Sequence, residues 1–111
     1  MQLTSLDQKL MLAAMSLHPN AYGVSIQAHI RERTGETPPS IGSLYAAIDR
    51  LEDRGFVRTR LGEPTKERGG RAKLYVTVTA KGQATLRQSL QALASLQQAP
   101  GNALALGEVP A

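Results

Sequence analysis

The chain has 111 residues, no cysteine and a formal net charge of +4. A chain of this length makes one small domain with a modest core, and without cysteine it has no disulfide, thiolate metal site or thiol nucleophile. Its first residues lack a basic n-region, Asp7 and Lys9 interrupt the apolar run, and no stretch approaches the roughly 20 apolar residues of a membrane span, so a soluble cytoplasmic protein is expected.

Leu6, Leu10, Ala13, Ala14 and Leu17 fall at helical spacing and predict a first helix, with Ser5 and Gln8 as its capping box and His18-Pro19-Asn20 as its end. A second helix is expected from an Asn20 cap to a Gly35 stop, with Val24, Ala28 and Ile30 inside it and Tyr22 and Ile26 adding apolar surface. The segment Glu36-Thr37-Pro38-Pro39 is a connection. Ser40 then caps a third helix whose apolar stripe is Ile41, Leu44, Tyr45, Ile48 and Leu51. Gly42, Ser43, Ala46, Ala47, Asp49, Arg50 and Asp53 fall on its other faces, and Gly55 ends it.

Two stretches then alternate with period two. In Phe56–Leu61, Val57, Thr59 and Leu61 oppose Phe56, Arg58 and Arg60; in Leu74–Thr79, Leu74, Val76 and Val78 oppose Tyr75 and Thr77. Together they predict a hairpin with a long, basic, mobile tip. Thr79 caps a last helix carrying a leucine stripe of Leu86, Leu90, Leu93 and Leu96. Three divisions follow: a domain over 1–79, a last helix over 80–97 and a disordered tail over 98–111.

The order helix, helix, helix, strand, strand, helix is mainly α with a small β-hairpin. It is the winged helix-turn-helix arrangement with an added C-terminal helix, in which the second helix of the pair enters the major groove. The charge agrees with that use. Residues 50–73 hold eight of the thirteen Lys and Arg residues and four of the nine acids, so the rest of the chain is neutral. Such a segment faces an anionic partner.

The residues Tyr22-Gly23, Ser40-Ile41-Gly42-Ser43-Leu44-Tyr45, Arg50-Leu51-Glu52 with Gly55, Gly70-Arg71-Ala72-Lys73, Tyr75 and Val78-Thr79-Ala80-Lys81-Gly82 occur in this order. In them the chain resembles the PadR-like transcriptional regulators over roughly residues 6–96, and within them the short branch with a single helix after the wing. The resemblance implies a homodimer, packed through its first and last helices, that binds operator DNA and is often released by a small molecule. Some short members bind flat drugs between tryptophans; this chain has no Trp, and its last helix has no aromatic residue.

The candidate DNA contacts are Ser40, Gly42, Ser43, Tyr45 and Arg50 on the third helix, and Lys66, Arg68, Gly69, Arg71 and Lys73 on the wing. Several have a second reading. Ser40 serves as a cap, a phosphate contact or both. Gly42 costs about 1 kcal/mol in a helix, explained by close approach to DNA or by packing against the second helix. Tyr45 lies on the core stripe with a hydroxyl able to emerge, and Arg50 either faces the groove or pairs with Asp49 or Asp53. Arg58 and Arg60 read as ordinary surface. Gly69-Gly70 between two arginines lets the tip approach a surface closely.

Leu6, Leu10, Met11, Met15, Leu86, Leu90 and Leu93 are the candidate dimer core and the wall of an apolar effector pocket. His18 and His29 lie in different elements with no ligand partners, so no metal is expected. No catalytic constellation or nucleotide loop is present, so neither an enzyme nor a cofactor is expected. The competing function is a winged helix used for protein–protein contact without DNA binding; it calls for an apolar patch on the third helix, where this chain has small and polar residues.

Overall fold

The computed structural model describes residues 2–64 and 72–101, and all structural statements below refer to these. The tip residues Lys66, Arg68, Gly69 and Arg71, the mobile wing tip expected around them, and positions 102–111 of the expected tail lie outside the described residues.

Helix α1 (Ser5–Leu17) is capped by Thr4, not Ser5. The Thr4 hydroxyl accepts from the Asp7 amide at 3.0 Å, and the Asp7 carboxylate accepts from the Thr4 amide at 2.9 Å. The box forms one residue earlier than expected because Asp7 is short enough to fold back onto the cap amide. Gln8 is thereby released to reach the last helix, donating to the Ser89 hydroxyl at 2.6 Å.

Helix α2 (Gly23–Thr34) begins after Tyr22, two residues later than the expected Asn20 cap. Ser25 sets that start: its hydroxyl accepts from the Tyr22 amide and donates to the Asn20 carbonyl. Ile26 and Ile30 enter the core, whereas Val24 is exposed. Gly35 closes the helix at φ +71°, a left-handed conformation that favours glycine.

Helix α3 (Ile41–Asp53) is capped by Ser40 as expected. Its buried stripe is Leu44, Ala47, Ile48 and Leu51, flanked by Ile41 and Tyr45. Ala47, expected on an outer face, is fully buried: it lies one turn from Leu44 and Leu51 and its methyl fits where helices approach closely. Gly55 (φ +79°) turns the chain, and the Phe56 amide donates back to the Leu51 carbonyl. Phe56 therefore closes the helix and is buried, rather than sharing a strand face with Arg58 and Arg60.

Strands β1 (Val57–Pro64) and β2 (Ala72–Val78) form an antiparallel hairpin. Val57 opposes Val78, Thr59 opposes Val76 and Leu61 opposes Leu74 on the core face, while Arg58 opposes Thr77 and Arg60 opposes Tyr75 on the other. Val57, Val76 and Val78 are buried, but Leu61 is 69% exposed because the far half of the hairpin projects beyond the helices. Both strands run further toward the tip than the alternation suggested, to Pro64 and from Ala72. The Val76 amide donates to the Ala21 carbonyl, tying β2 to the entry of α2.

Helix α4 (Ala80–Gln97) is capped by Thr79, whose hydroxyl accepts from the Gly82 amide. Leu86 is buried and Leu90 packs against the core, but Leu93 and Leu96 point away from it. The stripe leaves the core as the helix runs beyond the domain.

Candidate nucleic-acid interface

The connection over 35–40 aligns α2 and α3 as a helix-turn-helix, and the hairpin stands beside them as a wing. The Gln27 side chain donates to the Pro39 carbonyl at 2.9 Å and holds that connection against α2. Within the pair, Tyr45 fits against the second residue of Tyr22-Gly23: a Cβ on Gly23 would sit 3.3 Å from the Tyr45 hydroxyl. Gly23, not Gly42, is the glycine that lets α2 and α3 approach closely.

The outer face of α3 has two halves. Gly42, Ser43 and Ala46 are exposed on the first two turns and carry no charge; Asp49 and Asp53 are exposed further along. The Ser40 hydroxyl accepts from the Ser43 amide at 3.1 Å and donates to the Ser43 hydroxyl at 3.0 Å, so the cap also orients Ser43. A Cβ on Gly42 would meet only the Ser40 hydroxyl, at 4.0 Å, which removes packing against α2 as its explanation. A small, neutral helix start favours an anion, and the two aspartates disfavour one at the other end.

Arg50 does not pair with Asp49 or Asp53. Its guanidinium binds Asp7 of α1 at 2.6 Å, and the Asp7 side chain is fully buried. The charge expected to face the groove is thus committed to holding α3 against α1. The sequence missed this pairing because the partners lie 43 residues apart.

The wing carries its cations on an aromatic support. Arg60 lies over the Tyr75 ring at 5.0 Å, Lys73 lies over the Tyr22 ring at 4.5 Å, and the two rings meet edge to face with centroids 5.8 Å apart. Such cation–π contacts contribute about 0.5–1 kcal/mol each at exposed sites. They pre-orient the cations on the face opposite the core. Gly62 makes the arrangement possible, since a Cβ there would collide with the Tyr75 ring. Arg60 belongs to this basic face although its sequence read as ordinary surface. Glu52 links wing to helix, accepting from the Thr59 amide at 2.9 Å and hydroxyl at 2.7 Å.

A domain model of the PadR-like transcriptional regulators matches residues 11–88. The chain belongs to the PadR-like family. Its members are transcriptional regulators rather than enzymes, so a DNA-binding regulator is the class to which this chain is assigned. No curated relative matches by sequence. Among solved structures, a transcriptional regulator of Clostridium thermocellum is 22% identical with a TM-score of 0.69, the match covering 87% of this chain and 93% of the other. A transcriptional regulator of Thermoplasma acidophilum is 23% identical with a TM-score of 0.68, covering 95% and 96%. The ORC1 protein of Aeropyrum pernix, solved in complex with DNA, is 19% identical with a TM-score of 0.63 over 85% of this chain and 26% of the other. At these identities the structural matches establish the fold, a winged helix.

A second, apolar surface in this PadR-like chain lies between α1 and α4. Leu12 and Met15 of α1 and Leu93 and Leu96 of α4 are large apolar residues between 42% and 68% exposed. A groove between the helices is lined by Leu12, Met15, Leu86, Leu90 and Ala94, with Gln83, Arg87 and Gln91 at its margin. Of the residues expected here, Met15, Leu86 and Leu90 line this groove; Leu93 lines a second groove, with Leu3 and Leu96, on the other side of α4. Leu6 packs against the protomer core. Leu10 and Met11 are fully buried within the protomer, so neither reaches a partner or a ligand in this conformation. Leu12 was missed as a contributor, whereas Leu96 was read on the leucine stripe of the last helix. The signal for Leu12 was its spacing of three from Met15, off the core stripe. No helix among the described residues is long and apolar enough to cross a membrane.

Proposed function

We propose that the protein is a cytoplasmic homodimeric repressor that binds an inverted-repeat operator and leaves it when a small apolar effector binds. The first turns of α3 enter the major groove, where Ser40, Gly42 and Ser43 approach the duplex and the Tyr45 hydroxyl lies at the margin. Lys73 and Arg60 meet phosphates from the wing, and the tip residues Lys66, Arg68, Gly69 and Arg71 extend that contact toward the flanking minor groove. Arg50 is left out of the contact set because Asp7 holds it.

The observation that carries this reading is the charge polarity around α3. Its exposed start is uncharged and its exposed aspartates lie toward the other end, while the wing presents cations held over tyrosine rings. The protein–protein alternative needs an apolar patch on α3, and the exposed Gly42, Ser43 and Ala46 do not supply one.

Dimerisation buries the exposed leucines of α1 and α4. Its two-fold axis relates two α3 helices and predicts half-sites about one helical turn apart. An effector in the α1–α4 groove shifts operator affinity only through different affinities for the bound and released geometries. Repression fits a dimer whose footprint excludes polymerase. The test is a gel shift on DNA upstream of the protein's own gene, with the wild type and with Arg68→Ala/Arg71→Ala. The wild type shifts the fragment and the double variant binds at least tenfold more weakly; no wild-type shift at low salt removes the reading, and equal binding by the variant removes the tip from it.

A further inference from the structure

The motif Val78-Thr79-Ala80-Lys81-Gly82 has no part in either surface, yet it makes a dense set of contacts. Three successive carbonyls follow helix α3, at Arg54, Gly55 and Phe56, and each accepts from the start of α4. The Lys81 ammonium donates to the Arg54 carbonyl at 2.8 Å. The Thr79 hydroxyl donates to the Gly55 carbonyl at 2.7 Å. The Thr79 amide donates to the Phe56 carbonyl at 3.0 Å. The Arg54 carbonyl belongs to the C-cap of α3, where a cation such as the Lys81 ammonium is favoured. Lys81 also lies 5.3 Å from the centre of the Phe56 ring. Gly82 is what permits the approach: a Cβ there would collide with the Phe56 carbonyl oxygen, and its neighbour is backbone that has no side chain to swing aside.

The hairpin separates α3 from α4 in sequence, but this corner joins them end to start. We propose that Thr79, Lys81 and Gly82 are positioning residues that fix the angle between α3 and α4, and so set the separation of the two recognition helices in the dimer. The proposal deepens the function proposed above and rests on it for the step from angle to operator. Its lever is the length of α4. An 18-residue helix spans about 27 Å, so a tilt of roughly 10° at the corner moves its far end by about 5 Å. A displacement of that size takes two half-site readers out of register with DNA. Half-site recognition, which needs only one α3 and one wing, is untouched.

Two readouts separate the corner from the operator. The chain has no native cysteine, so Asp49→Cys with Ser95→Cys places one spin label on exposed α3 and one on exposed α4. Diluted with unlabelled chain, this pair reports the intrachain angle without DNA. The wild-type background gives one narrow distance; adding Lys81→Met, which keeps the length of the stem and removes the ammonium, shifts or broadens it by about 3 Å or more, the scale set by the helix lever. In parallel, unlabelled protein is measured on a duplex selected by the wild type from random sequence, on its isolated half-site, and on duplexes with one or two base pairs added between half-sites. Lys81→Met keeps half-site affinity within about twofold, loses about tenfold or more on the full site, and relaxes the spacing preference. Gly82→Ala does the same more severely if it folds; Lys81 is exposed, so its variant keeps the test decisive if Gly82→Ala does not. An unchanged label distance overturns the corner. A changed distance with a wild-type ratio of full-site to half-site affinity overturns its role in operator geometry. If the wild type selects no site, the proposed function fails, and the label distance still decides the corner.

Discussion

Replacing Arg50 by Ala leaves the Asp7 carboxylate inside the protein without its cation. Asp7 is fully buried, and its two oxygens divide their work: one accepts from the Thr4 amide at 2.9 Å and the other from the Arg50 guanidinium at 2.6 Å. Removing one partner of a buried pair typically costs about 3–5 kcal/mol, because the remaining charge is stranded. The Arg50 side chain is 39% exposed, so water reaches the vacated position and part of the loss is screened. A loss of about 2–3 kcal/mol is expected, against a total of about 5–15 kcal/mol for a domain. That corresponds to a fall in Tm of about 10–20 °C for a protein of this size. Urea unfolding followed by circular dichroism measures it, at one fixed protein concentration because dimerisation contributes by mass action. Asp7→Asn retains an acceptor for the Thr4 amide while removing the charge. The double variant Asp7→Asn/Arg50→Ala is therefore less destabilised than the sum of the singles. An Arg50→Ala loss below about 0.5 kcal/mol, or strict additivity in the cycle, refutes the assignment of this pair as a structural link.

Three further outcomes follow from the same geometry. Gly42→Ala has room for its methyl and gains helix propensity, so stability rises by up to about 1 kcal/mol while DNA affinity falls; unfolding and gel-shift titrations on one preparation check both signs. Lys73→Ala lowers the slope of log affinity against log salt by about 0.9 for each phosphate lost, hence about 1.8 for a dimer, measured by fluorescence anisotropy between low and moderate salt. Leu93→Lys alters a residue 51% exposed in the protomer, so the chain stays folded by circular dichroism and sediments as a monomer.

Much of the fold was legible because it rests on periodic burial and short-range signals. The Ser40 and Thr79 caps, the Gly35 and Gly55 stops and the two alternating strands of the hairpin each follow from residues within a few positions or from simple alternation. The shifted starts of α1 and α2 were not legible for a local reason: two hydroxyl residues compete at Thr4-Ser5, and Ser25 reaches back past Asn20. Long-range links escaped altogether. Nothing near Arg50 in sequence points to Asp7, nothing near Tyr22 points to Lys73, and nothing near Gly82 points to the Phe56 carbonyl. A leucine stripe likewise does not say where it leaves the core, so Leu10 and Met11 read as interface although the protomer buries them.

The central claim is that two copies of the uncharged start of α3 read two symmetric half-sites. Hydroxyl-radical footprinting on a duplex selected by the wild type from random sequence tests it most directly. Two protected patches related by a dyad are expected, with centres about 34–36 Å apart, and weaker flanking protection under the wings. A single unsymmetrical patch, or no protection at low salt, contradicts it.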